Sequence, residues 1–292
     1  MAMGSIANEE QDRFWNEVAG PLWVETEEES ELHTKPFGDA ALAQAAPAPG
    51  ERVLDVGCGC GSTTLALAGS VGPAGRVIGV DLSAVMLARA GERVAGLSQV
   101  ELHRGDAQVA ELGTAVFDLV FSRFGVMFFA DPVAGFANLR RALRPEGRLV
   151  FACWQAPSAN LWMALVNRAA AKIFDLPAPP HDAPGPFSFA DRERIEAVLS
   201  AAGFTAIEIS SCQRQLHLGA GLRLEDWVRQ RLVMGPARQP FLDSDSQRQD
   251  QAVASIVETA SAYRTSGDDP LGGLSMDGAA WIVSARPAGP SE

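Results

Sequence analysis

The chain has 292 residues, is 47% hydrophobic and carries a formal net charge of -12, so it can bury a full core and presents a field that repels phosphate backbones. That balance excludes nucleic acid as a partner. No apolar run approaches the ~20 residues of a membrane span, and the N-terminus does not read as a secretory signal, which predicts a cytoplasmic protein with no membrane contact. Cys58, Cys60, Cys153 and Cys212 form no C-x-x-C pair and have no histidine at ligand spacing, so no metal site is predicted.

In chain order, FWNEVAGPLWVE comes first and sets Trp15 and Trp23 eight residues apart, one helical face if Pro21 does not interrupt it. ETEEESE, with five glutamates, reads as a solvated stretch. From about Glu51 to Trp154, short β-rich runs alternate with helical patterns, as in a parallel sheet with crossover helices. Strands are predicted on RVLDV, RVIGV, VELH, FDLVFS and GRLVFACW; helices fall on STTLALAGSV, SAVMLARAGERVA and DPVAGFANLRRALRP, the last stopped by Pro145. A helix over Asn160 to Phe174 leads into a proline-rich stretch, Phe174 to Phe189. RERIEAVLSAAGF is a helix closed by Gly203, TAIEISSCQRQLHL a long strand, residues 224 to 264 helical, and AAWIVSAR a late strand. The expected fold is α/β, a Rossmann-like doubly wound sheet of about seven strands, mostly parallel with a late antiparallel strand, under a helical cap.

VLDVGCGCGSTTLALAG, residues 53 to 69, carries the chemistry. Two thiols cannot make a four-ligand zinc site. Glycines that end a strand and open a helix let backbone approach a ligand and aim helix N–H groups at it. No Gly-Lys-Ser/Thr follows, so this is not an ATP loop. In the dinucleotide fingerprint G-x-G-x-x-G, Ser62 occupies the place of the last glycine, which weakens the NAD reading. Asp81, about 20 residues past the glycines at a strand's C-terminal edge, is placed to accept hydrogen bonds from both hydroxyls of a ribose, a role NAD enzymes share.

With the pattern D-x-G-x-G-x-G over Asp55 to Gly61, VIGVDLS, GDA at Gly105 to Ala107, and FDLVFSRFGVMFFADP followed by LRPEGRLVF, the chain resembles the class I S-adenosylmethionine-dependent methyltransferases. It is closest in look to the small-molecule branch related to ubiquinone and menaquinone biosynthesis. The resemblance covers residues 36 to 154, and departs at Glu146, where a second glycine is common in the turn. It implies that Asp55 and the backbone of Gly57, Cys58, Gly59 and Gly61 hold the amino-acid end of S-adenosyl-L-methionine. It further implies that Asp106 accepts from the adenine amino group beside Gly105 and Ala107, that Leu82 and Met86 flank adenine and ribose, and that Ser122 lies where donor meets acceptor. The segment with Trp15 and Trp23 would close over the cofactor, and Arg123, Phe124 and Trp227 would border the acceptor.

A sulfonium methyl is already electrophilic, so alignment and exclusion of water carry much of the catalysis and no nucleophilic residue is required. His33, His181 and His217, with His103 in a strand, are the candidate imidazoles for a general base. Cys58 and Cys60 read as small buried fillers. The aromatic content outside the common sheet favours a moderately hydrophobic small-molecule acceptor. The expected segments are a helical lid at 1–35, a cofactor-binding core at 36–155, a proline-rich insert at 156–190, a core helix and strand at 191–219, a helical cap at 220–275, and a last strand and tail at 276–292. A non-methylating cyclisation or rearrangement on the same scaffold, and binding of the cofactor without turnover, stay open at this level.

Overall fold

The computed structural model describes residues 6–178, 180, 183–219, 221–265 and 273–289. Seven strands form one sheet in the order β3-β2-β1-β4-β5-β7-β6. They are β1 Arg52–Val56, β2 Arg76–Asp81, β3 Val100–Arg104, β4 Phe117–Arg123, β5 Leu143–Trp154, β6 Phe204–Leu218 and β7 Leu274–Pro287. The first five run parallel, while β7 is antiparallel to both β5 and β6. The mostly parallel α/β sheet read from the sequence is therefore present, strand for strand. β7 starts five residues earlier than AAWIVSAR: Leu274 pairs with Leu218 and Met276 with Leu216, so the length of β6 recruits residues whose pattern Gly278 had broken.

The helices are α1 Glu9–Arg13, α2 Ala19–Glu25, α3 Glu27–Ala45, α4 Ser62–Val71, α5 Ala84–Arg93, α6 Pro132–Ala142, α7 Leu161–Ile173, α8 Arg192–Ala201, α9 Leu224–Met234, α10 Arg238–Leu242 and α11 Ser246–Ala260. Local chemistry sets their starts. Ser83, Asp131 and Asp191 each accept a backbone N–H of the first turn they cap, and Pro132 supplies the fixed φ of a first helical residue. Val53, Leu54, Leu119, Val120 and Phe121 are wholly buried between the helical layers. Burial of side chains of this size contributes about 1.5–3 kcal/mol each, which makes the β1–β4 centre the rigid base for the loops at its C-terminal edge.

Helix α3 runs unbroken through the lid–core boundary expected at residue 35. Pro36 lies inside it, and the carbonyl it cannot bond belongs to Leu32, an exposed residue where water can serve. Pro21 does interrupt the other expected helical face: α2 begins at Ala19 after a wide π-type turn over Phe14–Val18. That turn still brings the Trp15 and Trp23 rings within 6.1 Å of each other. Gly20 is required by the packing, because a Cβ there would meet the Trp15 carbonyl oxygen at 2.0 Å and Ser83 Oγ at 2.7 Å. No helix of the described residues is long and apolar enough to cross a membrane.

Candidate functional site

The crevice at the C-terminal edge of β1, β2 and β4 begins with the loop Gly57–Gly61, whose three glycines all have positive φ. A Cβ on Gly57 would sit 2.7 Å from the Gly125 Cα, so two bare backbones abut where the loops after β1 and β4 cross. Ser122 fixes that crossing: its hydroxyl donates to the Val56 carbonyl at 2.8 Å and accepts from Gly125 N at 3.2 Å. Ser122 is wholly buried with its hydroxyl bonded to backbone on both sides, so it braces the floor of the crevice. The Cys58 and Cys60 thiols are buried, and burial pushes Cys58 far up and Cys60 to about 12. Both are inert fillers; the native protein should leave all four thiols unreacted in a colorimetric thiol assay and expose four on denaturation.

Three carboxylates stand at or just past the C-terminal ends of β1, β2 and β3. Asp55, at the end of β1, accepts from Thr63 Oγ1 and Thr64 Oγ1 through Oδ2, at 2.8 and 2.7 Å. Its Oδ1 has no hydrogen-bond partner among the described residues. Burial raises the Asp55 carboxyl to about 6 against the two threonine hydrogen bonds. Asp81, at the end of β2, accepts from Gly59 N and Ser83 N, both at 2.8 Å, and is raised by burial in spite of these bonds. Asp81 thus reaches back across the crevice to hold the glycine loop itself. Asp106 follows β3 through Gly105, whose N–H is held by the Asp81 carbonyl, and Ala107 beside it is buried. Asp106 accepts from Ala7 N and Asn8 N on Oδ2 and from Gln108 N on Oδ1. Oδ1 retains room for one more donor.

Those contacts belong to an N-terminal arm lying on the crevice. The Asn8 amide donates to the Phe128 carbonyl, the Asn16 amide donates to the Leu82 carbonyl, and Asn16 Oδ1 receives Ala84 N. The Trp15 ring meets Phe128 edge-on at 5.1 Å. Met86 is buried with its methyl 3.0 Å from where a Gly59 Cβ would stand. The expected solvated glutamate stretch is corrected here: Glu27 pairs with Arg89 and Arg93, Glu29 with Arg231, and Glu31 with Arg123. Burial alone would raise Glu31, but the hydrogen bonds and charge of Arg123, with Ser62 and Arg93, hold it below the usual carboxylate range. Only cations 62 to 202 residues away explain these pairs, and such distances leave no trace in local composition.

Towards the expected acceptor side, Arg123 is committed: both terminal nitrogens reach Glu31 and one also reaches Ser62 Oγ at the start of α4. Phe124 has a φ of 63° and stacks on Trp154 at 3.9 Å. The rings continue from Trp154 to Trp162 at 5.4 Å and from Trp162 to His33 at 5.7 Å, with Phe37 against Trp154 at 5.0 Å. His33 is 2% exposed, and burial together with the Arg231 charge lowers it to about 4. His217 points its side chain to solvent from β6, and His103 lies beside Glu101 on β3, so neither joins the crevice. His181 lies outside the described residues. Trp227, buried on α9, lines a small cavity with Leu218, Gly219 and Leu274, and no ring contact links it to Phe124. Sequence reading missed Trp154, Trp162 and Arg231, whose spacing is that of ordinary core.

A family profile described as a methyltransferase domain matches residues 53–147, from the start of the glycine loop's strand into β5. Demethylmenaquinone methyltransferase of Staphylococcus carnosus is 31% identical over 182 residues, covering 58% of this chain and 76% of that one. The chain belongs to the class I S-adenosylmethionine-dependent methyltransferases. The YcgJ protein of Bacillus subtilis has the same fold, with a TM-score of 0.58 at 18% identity over 87% of this methyltransferase and 99% of that chain. Phosphoethanolamine N-methyltransferase 2 of Haemonchus contortus, in complex with S-adenosyl-L-methionine, shares it at a TM-score of 0.51 and 21% identity, over 87% of this methyltransferase and 52% of that chain. The methyltransferase uses S-adenosylmethionine as its methyl donor, and the transferase reading holds over hydride transfer.

Proposed function

We propose that the crevice between the arm and the β1–β4 edge seats S-adenosylmethionine and that the enzyme moves its methyl group in line to an O, C or N atom of a moderately hydrophobic small molecule. The observation that carries the reading is a pair of carboxylates, Asp55 wholly buried and Asp81 partly so, on either side of a side-chain-free loop, with Asp55 Oδ1 left without a partner among the described residues. Two carboxylates beside bare backbone, one of them wholly out of water, form a poor seat for a pyrophosphate and a good one for a molecule bearing an ammonium and a sulfonium. The cofactor supplies an electrophilic methyl on positively charged sulfur. The chain holds it: Asp81 takes the ribose hydroxyls, Asp106 Oδ1 the adenine amino group, and Leu82 and Met86 flank the rings. Asp55 and the Gly57–Gly61 backbone take the amino-acid end, and Trp15, Trp23 and the rest of the arm exclude water. The name of the staphylococcal relative, a demethylmenaquinone methyltransferase, supports a hydrophobic acceptor. The segments expected from the sequence serve this scheme as arm, seat and cap.

Incubation with methyl-labelled donor and a metabolite extract, read by mass spectrometry, tests transfer: a labelled product one methylene heavier is expected, and an unlabelled rearranged product would favour the cyclase alternative. The seat itself has a pH signature. Asp55 titrates at about 6 in the free protein, above its ordinary range, so the anion is present above that pH and takes up a proton as pH falls through it. Binding a cation requires that proton to leave again. Affinity for S-adenosylmethionine by calorimetry should therefore fall about tenfold between pH 7.5 and 5, and Asp55→Asn should flatten the dependence.

A further inference from the structure

One edge of the sheet is β6, whose 15 residues are more than twice the ~5–6 usual for a strand. Among the described residues β7 is its only strand partner, so its other long side pairs with nothing. The helical layers leave its middle open: Glu208, Ser210 and Arg214 on one face and Ser211 and Gln213 on the other are exposed, with only Ile209 and Cys212 buried between them. The β7 residues alongside, Ala280, Ile282 and Val283, are all buried.

An open edge of this length is a template for another chain, and proteins blunt such edges with charges or a bulge. β6 has a bulge between Thr205 and Glu208, and it has charges, but Glu208 and Arg214 are opposite in sign and stand three residues to either side of Ser211. Ser211 is also the midpoint of the strand, seven residues from each end. Two copies of β6 laid antiparallel about a two-fold axis at Ser211 therefore set Glu208 of each chain directly opposite Arg214 of the other, with Cβ atoms about 4.5–5.5 Å apart. Both side chains lie on one face, because Glu208 pairs with Ser284 and Arg214 with Gly278 in a single unbroken register. Moving the axis by one residue puts Glu208 opposite Leu216 and loses the match. Both charges are available for it. Glu208 has no ion pair or side-chain hydrogen bond among the described residues, and the one hydrogen bond of the Arg214 guanidinium goes to the carbonyl of its neighbour Gln213.

We propose that the β6 edge is a homodimer interface, at which two copies of this chain pair antiparallel over residues 208–214 and join their seven-stranded sheets into one. Main-chain hydrogen bonds hold the two strands together, the bulge ends the paired run, and the Glu208–Arg214 pairs fix the register and reject strands of other sequence. The cofactor crevice lies on the far side of β5 and β7 from this edge, so the pairing stands apart from the methyltransferase reading.

Sedimentation velocity on the full chain from about 1 to 200 μM, the range that a short interface calls for, tests the pairing. The wild type should pass from monomer to dimer mass. Symmetry counts each substitution twice, so Glu208→Arg alone and Arg214→Glu alone should each raise the dissociation constant at least about tenfold by setting like charges opposite one another. An equimolar mixture of the two variants should recover the dimer, because both cross-chain pairs are then matched. All three proteins should melt together, since both side chains are exposed. A wild type that stays at monomer mass throughout overturns the proposal. So does a dimer that survives either reversal, which belongs to another surface, and so does a mixture that fails to recover it. A reversal that melts earlier shows its charge to be spent within its own chain and overturns the proposal as well.

Discussion

Gly57→Ala should lower the stability of the free protein by about 3 kcal/mol and abolish cofactor binding at micromolar concentrations. Two penalties add at this position. The backbone has a φ of 67°, where a Cβ costs about 1–2 kcal/mol, and the added carbon would lie 2.7 Å from the Gly125 Cα. Backbone, unlike a flexible side-chain end, cannot swing aside, and Gly125 is further tied by Ser122 Oγ. Relief must come by parting the loops after β1 and β4, which are the floor of the crevice. Differential scanning calorimetry should show a melting point lower by roughly 6 °C or more. Gly69 provides the control, because it lies in α4 with no atom within 4 Å of an added Cβ, and Gly69→Ala should raise stability by about 0.5–1 kcal/mol. A Gly57→Ala protein that melts with the wild type and still binds the cofactor would show that the loops have slack the geometry denies.

Asp81→Ala should weaken affinity for S-adenosylmethionine by more than tenfold while leaving the fold intact. The carboxylate does two things at once: it holds Gly59 N and Ser83 N in place, and it is assigned the ribose hydroxyls. Hydrogen bonds to a charged acceptor are worth about 1.5–3 kcal/mol each, so losing the ribose contacts alone accounts for tenfold or more. Stability has less to lose, since burial raises this carboxyl and its removal also removes a desolvated charge. Asp81→Asn separates the two roles, keeping an oxygen for one backbone N–H but lacking the charge. Calorimetric affinities equal to wild type in both variants would move the ribose elsewhere.

The sheet was legible because its signals are local. β1 is RVLDV residue for residue, and α4 is STTLALAGSV, since a buried parallel strand ending in glycines and a helix opening on Ser62 each announce themselves within ten residues. The three acids at the strand ends follow from the same register. What the sequence hides is long-range pairing. Glu27, Glu29 and Glu31 look like surface charge until Arg89, Arg93, Arg123 and Arg231 come round to meet them. The bond from the Ser122 hydroxyl to the Val56 carbonyl, and those from the Ala7 and Asn8 amides to Asp106 Oδ2, likewise span distances that no local pattern records. The row of rings ending on His33 draws on four separate elements and has no pattern in any one of them.

The position of β7 in the sheet bears on how the chain comes together. β5 and β6 both find their partner in a strand made after them, and β6 has 13 residues in register with it. As the polypeptide leaves the ribosome, a long antiparallel edge therefore waits exposed while α9, α10 and α11 are still being synthesised, and β5 waits longer. Until Leu274–Pro287 slots between them the nascent chain carries two open edges able to template on a neighbour. A chain interrupted ahead of β7 would keep its glycine loop and three acids yet be the species most prone to aggregate.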